Sequence, residues 1–163
     1  MPEMRRIQRI IENETFGECL GKTEQWEQER EFCRHDTNHF LHVARIAMIL
    51  NLQEGMQIDR ELIYASALLH DIGRFEQYES GTDHAMASAR IAPGILRESG
   101  FSDKEIGIVT EAIRNHRNIM IRDDESLAGL LFRADKLSRD CYFCKMNQKC
   151  DWKAEKKNQQ INI

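Results

Sequence analysis

Apolar residues recur along this chain at intervals of three and four, the spacing that lines side chains along one face of an α-helix. Ile7, Ile10 and Ile11 open the series, and a more polar segment follows from about Thr15 to Phe32. The spacing then predicts a helix from His39 to about Leu52, with Val43, Ile46, Ala47 and Leu50 on one stripe. Asp59 takes the place of an N-cap for a helix through Leu62, Ala65, Leu68 and Leu69 that stops at Gly73. Thr82 or Asp83 opens the next helix, which Pro93 is expected to kink and Gly100 to close. Ser102-Asp103-Lys104-Glu105 is a capping box for a helix through Ile106, Val109, Ile113 and His116. A last helix is predicted from about Ser126 through Leu130, Leu131, Ala134 and Leu137. No stretch shows the period of two that marks a half-buried strand. The expectation is one all-α domain, a bundle of about six to seven helices.

Composition agrees. Nine glycines and two prolines are few for a turn-rich β fold, and valine occurs only at Val43 and Val109. A chain of 163 residues is long enough to bury one sizeable core. Its 23 basic and 27 acidic residues give a net charge of −4, without the basic excess that coating nucleic acid requires. A nucleic-acid partner is therefore not expected. Apolar runs such as Ile46–Leu50 are far shorter than a membrane span, and the charged N-terminal segment lacks an apolar export region. A cytoplasmic location is the expectation. Five cysteines, an odd count, then read as reduced thiols or metal ligands rather than a disulfide framework.

The sharpest chemical feature is Leu68-Leu69-His70-Asp71-Ile72-Gly73, an apolar helix ending on two adjacent ionisable groups. Neighbouring helical side chains diverge by about 100°, so the pair can flank one ion without sharing a face. Imidazole with carboxylate suits Mn, Fe, Co, Ni or Zn better than calcium. The dipeptide also occurs at His35-Asp36, so it is not diagnostic alone. Further donors lie on separate elements: His39 opens a helix, His84 lies in a first turn, and His116 ends another helix. Asp135 interrupts the stripe of Leu130, Leu131, Ala134 and Leu137, where an unpaired carboxylate is costly; Arg133 or Arg139 could pair with it. Singly, each residue reads as a cap or a surface group; together they are harder to dismiss.

In order and context these residues resemble the HD-domain metal-dependent phosphohydrolases, over about Arg34 to Asp140. His39-Phe40-Leu41-His42-Val43-Ala44 is similar to the family's first-histidine helix, with His42 in place of the common arginine. Leu68 to Arg74 is similar to its LLHDIG[KR] segment, and Ala134-Asp135-Lys136-Leu137 to its terminal helix. His84 and His116 extend the resemblance to the binuclear branch. It implies a first divalent transition metal (Fe, Mn, Co, Ni or Zn) on His39, His70, Asp71 and Asp135. Asp71 would bridge to a second on His84 and His116. It divides the chain into N-terminal helices over 1–33 that pack on the core, an HD core over 34–140, and a cysteine-containing tail over 141–163. Arg74, and with less weight Lys136, would neutralise phosphate oxygens beside the catalytic Asp71.

His35, His39 and His42 stand at i, i+4 and i+7, so a continuous helix would align them and spacing alone would admit His35 as a ligand. The resemblance favours His39, with His35-Asp36 in support. His35 or His42 would handle substrate protons in a pocket. Cys141, Cys144 and Cys150 could hold zinc or an iron–sulfur cluster with Cys19 or Cys33 as a fourth ligand, but free thiols packing a terminal turn are the favoured reading. The tail beyond Cys150 reads as polar and loosely held.

The functional expectation is a hydrolase in which a metal-activated hydroxide attacks a phosphomonoester or phosphoanhydride of a nucleotide or small metabolite. A mixed-valent di-iron oxygenase with the same ligands and a non-catalytic nucleotide sensor are the alternatives. No membrane partner is expected, and a homodimer is left open.

Overall fold

A computed structural model describes residues 3–163 and, among them, contains helices and turns but no strand. The helices are α1 (Arg5–Ile11), α2 (Glu14–Glu27), α3 (Thr37–Gln53), α4 (Arg60–Leu69), α5 (Arg74–Ser80), α6 (His84–Glu98), α7 (Asp103–Asn115) and α8 (Leu127–Leu137). The all-α expectation is met; the helix that periodicity does not separate is α5, only two turns long. The second segment is shorter than expected, because α2 ends at Glu27 rather than running to Phe32. Pro93 lies inside α6, which continues past it to Glu98 without a break.

Side chains rather than propensity set where the helices begin. Asp36, Asp59, Asp83 and Ser126 each accept a hydrogen bond from a backbone amide in the first turn of α3, α4, α6 and α8. Ser102 and Glu105 form the expected reciprocal box on α7. The Asp36 cap has a consequence for the histidines, since α3 starts at Thr37 and leaves His35 outside the helix. The three-histidine helical face is thereby ruled out.

Helix α4 runs through the centre and is packed by α1, α3, α6, α7 and α8. Its Ile63, Ala65, Ala67 and Leu69 are essentially inaccessible, as are Phe40, Val43, Ile113, Leu130 and Leu131 on the helices around it. Burying each of the larger of these side chains is worth about 1.5–3 kcal/mol. The N-terminal helices lie on this core, α1 against α4 and α6 and α2 against α5.

The turn between α4 and α5 is clamped onto α6 with no room to spare. The Gly73 amide donates to Ser88 Oγ at 2.9 Å, and a Cβ at Gly73 would stand 2.5 Å from the Ser88 amide nitrogen. Only glycine lets the end of α4 approach α6 this closely, which brings His70 and Asp71 beside His84. Gly73→Ala is expected to lower stability by about 1–3 kcal/mol through overpacking. Gly107→Ala, where a Cβ meets open space on α7, is expected to raise it by about 0.5–1 kcal/mol. Urea unfolding of the two variants against the parent checks both signs.

Candidate metal centre

The ends of three helices and the starts of two others converge on the α4–α5 turn. His70 caps the C-terminus of α4 and Asp71 follows it; His116 caps the C-terminus of α7; His84 is the first residue of α6. His39 lies in the first turn of α3 and Asp135 in the last turn of α8. With His35 from the preceding connection, five imidazoles form an arc. Ring centroids step 5.6 Å from His35 to His39, 5.3 Å to His70, 5.1 Å to His116 and 5.5 Å to His84.

Asp71 lies inside the arc and its two oxygens face different ways. Oδ2 is 3.4 Å from His70 Nε2 and 3.8 Å from His39 Nε2, while Oδ1 is 3.1 Å from His84 Nε2 and 3.5 Å from His116 Nε2. Asp135 Oδ1 completes the first side, 3.5 Å from His39 Nε2 and 3.7 Å from His70 Nε2. Two overlapping donor groups result, His39/His70/Asp135 and His70/Asp71/His116, each with its donor atoms within 4.8 Å of one another. Donors bound at about 2.1 Å around one ion stand roughly 3–3.5 Å apart, so these spacings suit coordination. His70 belongs to both groups, a finer division than assigning it to one ion.

The tautomers are set from behind. His70 Nδ1 donates to the Ala67 carbonyl and His116 Nδ1 to the Ile113 carbonyl, both at 2.7 Å, so each Nε2 keeps its lone pair for the centre. His84 Nδ1 lies between Gln77 Oε1 at 2.5 Å and the Arg74 guanidinium at 2.8 Å, so both ring orientation and tautomer answer to that pair. His39 Nε2, His70 Nε2 and Asp71 Oδ1 are buried and have no hydrogen-bond partner. Each such atom costs about 1–3 kcal/mol unless something satisfies it. Neutral imidazole nitrogens, carboxylates and orphaned buried lone pairs aimed at one point fit a divalent transition metal. The charges of these groups also act on each other. Burial, followed by repulsion from His70, drops the His39 pKa to about 4. Burial also opposes the Asp71 charge, but His70, His116 and His84 hold that carboxyl well below its ordinary range.

The flanking residues divide. The Arg74 guanidinium lies against the His84 ring, 2.8 Å from Nδ1, at the edge of the second donor group. Lys136 pairs with Asp135 Oδ2, the oxygen turned away from the histidines, so Asp135 takes neither Arg133 nor Arg139. Arg133 pairs instead with Glu54 at 2.6 Å. His42 is nearly half exposed and 3.8 Å from Asp140, one helical turn from the centre. His35 faces the centre, its Nε2 3.8 Å from Asp71 Oδ2. Asp36 is committed to capping α3.

Glu27 has no sequence signal of its own, yet it anchors this edge. It is buried at the end of α2, accepts from His35 Nδ1 at 2.5 Å and from the His35 amide at 2.6 Å, and takes the Tyr78 hydroxyl at 2.6 Å. A glutamate in a polar helix resembles its solvated neighbours until the fold delivers His35 and Tyr78 to it.

Comparison with known proteins follows the same lines. The sequence profile of the HD domain matches residues 37–140. An uncharacterized protein of Clostridium beijerinckii is 41% identical over 158 residues, covering 97% of this chain and 99% of its own length. The crystal structure of a predicted HD superfamily hydrolase from an uncultured Thermotogales bacterium superposes with a TM-score of 0.64 at 26% identity, over 88% of this chain and 79% of that one. No helix among the described residues is long and apolar enough to cross a membrane.

The Glu27 site carries a pH prediction. Burial pushes its pKa up, but the bonds from His35 and Tyr78 prevail and hold it at about 2, against an ordinary 4.5. A depressed carboxyl stabilises the fold above its unfolded value and loses that contribution as pH falls through the folded one. Glu27→Gln should flatten the fall of stability between about pH 4.5 and 2 relative to the parent, read from urea midpoints across that window. Parallel curves would show that Glu27 is not held this way.

Proposed function

The chain belongs to the HD-domain family, and from that premise we propose that it is a two-metal phosphohydrolase acting on a small phosphomonoester or phosphoanhydride, a nucleotide foremost. One observation carries the reading: the two oxygens of Asp71 are shared out between His39/His70 on one side and His84/His116 on the other. When bound, a pair of divalent ions supplies Lewis acidity at phosphorus and a water acidified to near neutrality. His39, His70, Asp135 and Asp71 would hold one, and Asp71, His84 and His116 the other. Four neutral imidazoles and two carboxylates leave such a centre with roughly two positive charges, matched to a phosphate dianion.

The chain's own groups then do the positioning. Arg74, beside His84, offers a planar fork of donors to non-bridging phosphate oxygens as charge builds there. Lys136 adds positive charge at the Asp135 rim, partly spent on that carboxylate. His35 is the better placed proton carrier of the two pocket candidates. Its Nδ1 is bonded to Glu27, so Nε2 is free to take a proton from water and return it to the leaving oxygen. Nothing comparable orients His42. The hydrolase description of the Thermotogales relative supports a hydrolytic over an oxygenating reaction.

The test is a panel of nucleotides and other phosphate esters, run with the protein loaded separately with Mn, Fe, Co, Ni and Zn. Phosphate release that is the same with and without oxygen is expected, falling roughly a hundredfold in kcat/KM for Arg74→Ala. Turnover that requires dioxygen, or tight nucleotide binding with no release under any metal, would overturn the proposal.

A further inference from the structure

Away from the histidine–aspartate centre, the fold gathers four of the five cysteines. Cys33, from the connection between α2 and α3, joins Cys141, Cys144 and Cys150 around one small cavity, closed by Phe32 and Asn147. Cys19 is buried in the core and takes no part. The sequence offered either Cys19 or Cys33 as a fourth thiol; the fold selects Cys33.

The segment that carries the other three thiols has a stability problem. From Cys141 to Ile163 no residue is buried, and its regular structure is one 3₁₀ turn at Ala154–Lys156. It is nevertheless folded back on the domain rather than loosely held. Asn158 Nδ2 donates to the carbonyls of Lys136 and Arg139 at 2.9 Å, Lys157 Nζ to those of Asn147 and Cys150, and Arg139 stacks 3.8 Å over Trp152. The Cys144 amide donates to the Cys141 carbonyl at 3.2 Å and Asn147 Nδ2 to the same oxygen at 2.6 Å. That tight turn puts the C-x-x-C pair at the cavity. Exposed hydrogen bonds contribute little net stability, so a segment with no buried apolar residue needs another tie.

We propose that Cys33, Cys141, Cys144 and Cys150 bind a single structural zinc ion. Four thiolates are a complete tetrahedral set, and a C-x-x-C turn is the usual half of such sites. The cavity is about 20 Å³, the size of one water-sized sphere. The four cysteines line the cavity without forming a group as tight as the His/Asp donors. The ion would tie the connection that carries His35 to the segment leaving α8 just after Asp135, bracing two rims of the catalytic centre.

The test is cobalt reconstitution of the full chain, purified under reducing conditions, with visible spectroscopy. Parent protein and Asp71→Asn should both show the near-ultraviolet thiolate-to-cobalt band and intense visible absorption of a tetrathiolate site. Cys144→Ser should lose them, together with about one equivalent of zinc from the protein as isolated. Absence of the band from parent protein with all thiols reduced would overturn the proposal without recourse to any variant. So would a disulfide among the four cysteines in freshly isolated protein, or iron accompanied by labile sulfide.

Discussion

A single buried carboxylate organises this molecule. Asp71 has almost no solvent to satisfy it, and its two oxygens look toward opposite pairs of imidazoles. A charge in that position must be paired or bound to metal, because the interior cannot solvate it. Every element nearby is arranged around that requirement. The end of α4 is pressed onto α6 through Gly73, the carbonyls of Ala67 and Ile113 hold two histidines in one tautomer, and α3 and α8 bring His39 and Asp135 to the open side.

The surrounding packing serves the same end. Helix α4 is clasped by five other helices, so the turn at its C-terminus has little freedom to move. Ligands at helix ends combine a rigid stem with a short reach. Around this shell stand Arg74 against the His84 ring, Lys136 on Asp135 and His35 on Glu27. The proposed hydrolysis would draw on both, ligands that reorganise little and charged groups at the rim.

Much of this was legible in the sequence for definite reasons. Five of the eight helices announce themselves by a stripe of apolar residues, and Asp59, Ser102 and Ser126 mark starts through chemistry that depends on neighbours a turn away. The six residues His39, His70, Asp71, His84, His116 and Asp135 were readable as a set only through the order and local context that resemble the HD-domain family, since each alone reads as a cap or a surface group. What was not legible depends on distance in the chain. Helix α5 is too short to show a period. Glu27 gains its role from Tyr78, fifty-one residues away, and Lys136 rather than an arginine takes Asp135. Cys33 meets three cysteines from the far end of the chain, which no spacing rule could specify.

The division of Asp71 between two sets of histidines is the claim on which the functional reading rests. Its most direct measurement is anomalous diffraction from crystals of the metal-loaded chain. The account predicts two peaks about 3.5–4 Å apart, one beside His39, His70 and Asp135 and the other beside His84 and His116, each reached by a different oxygen of Asp71. A single peak at full loading, or two peaks that do not share Asp71, would contradict it.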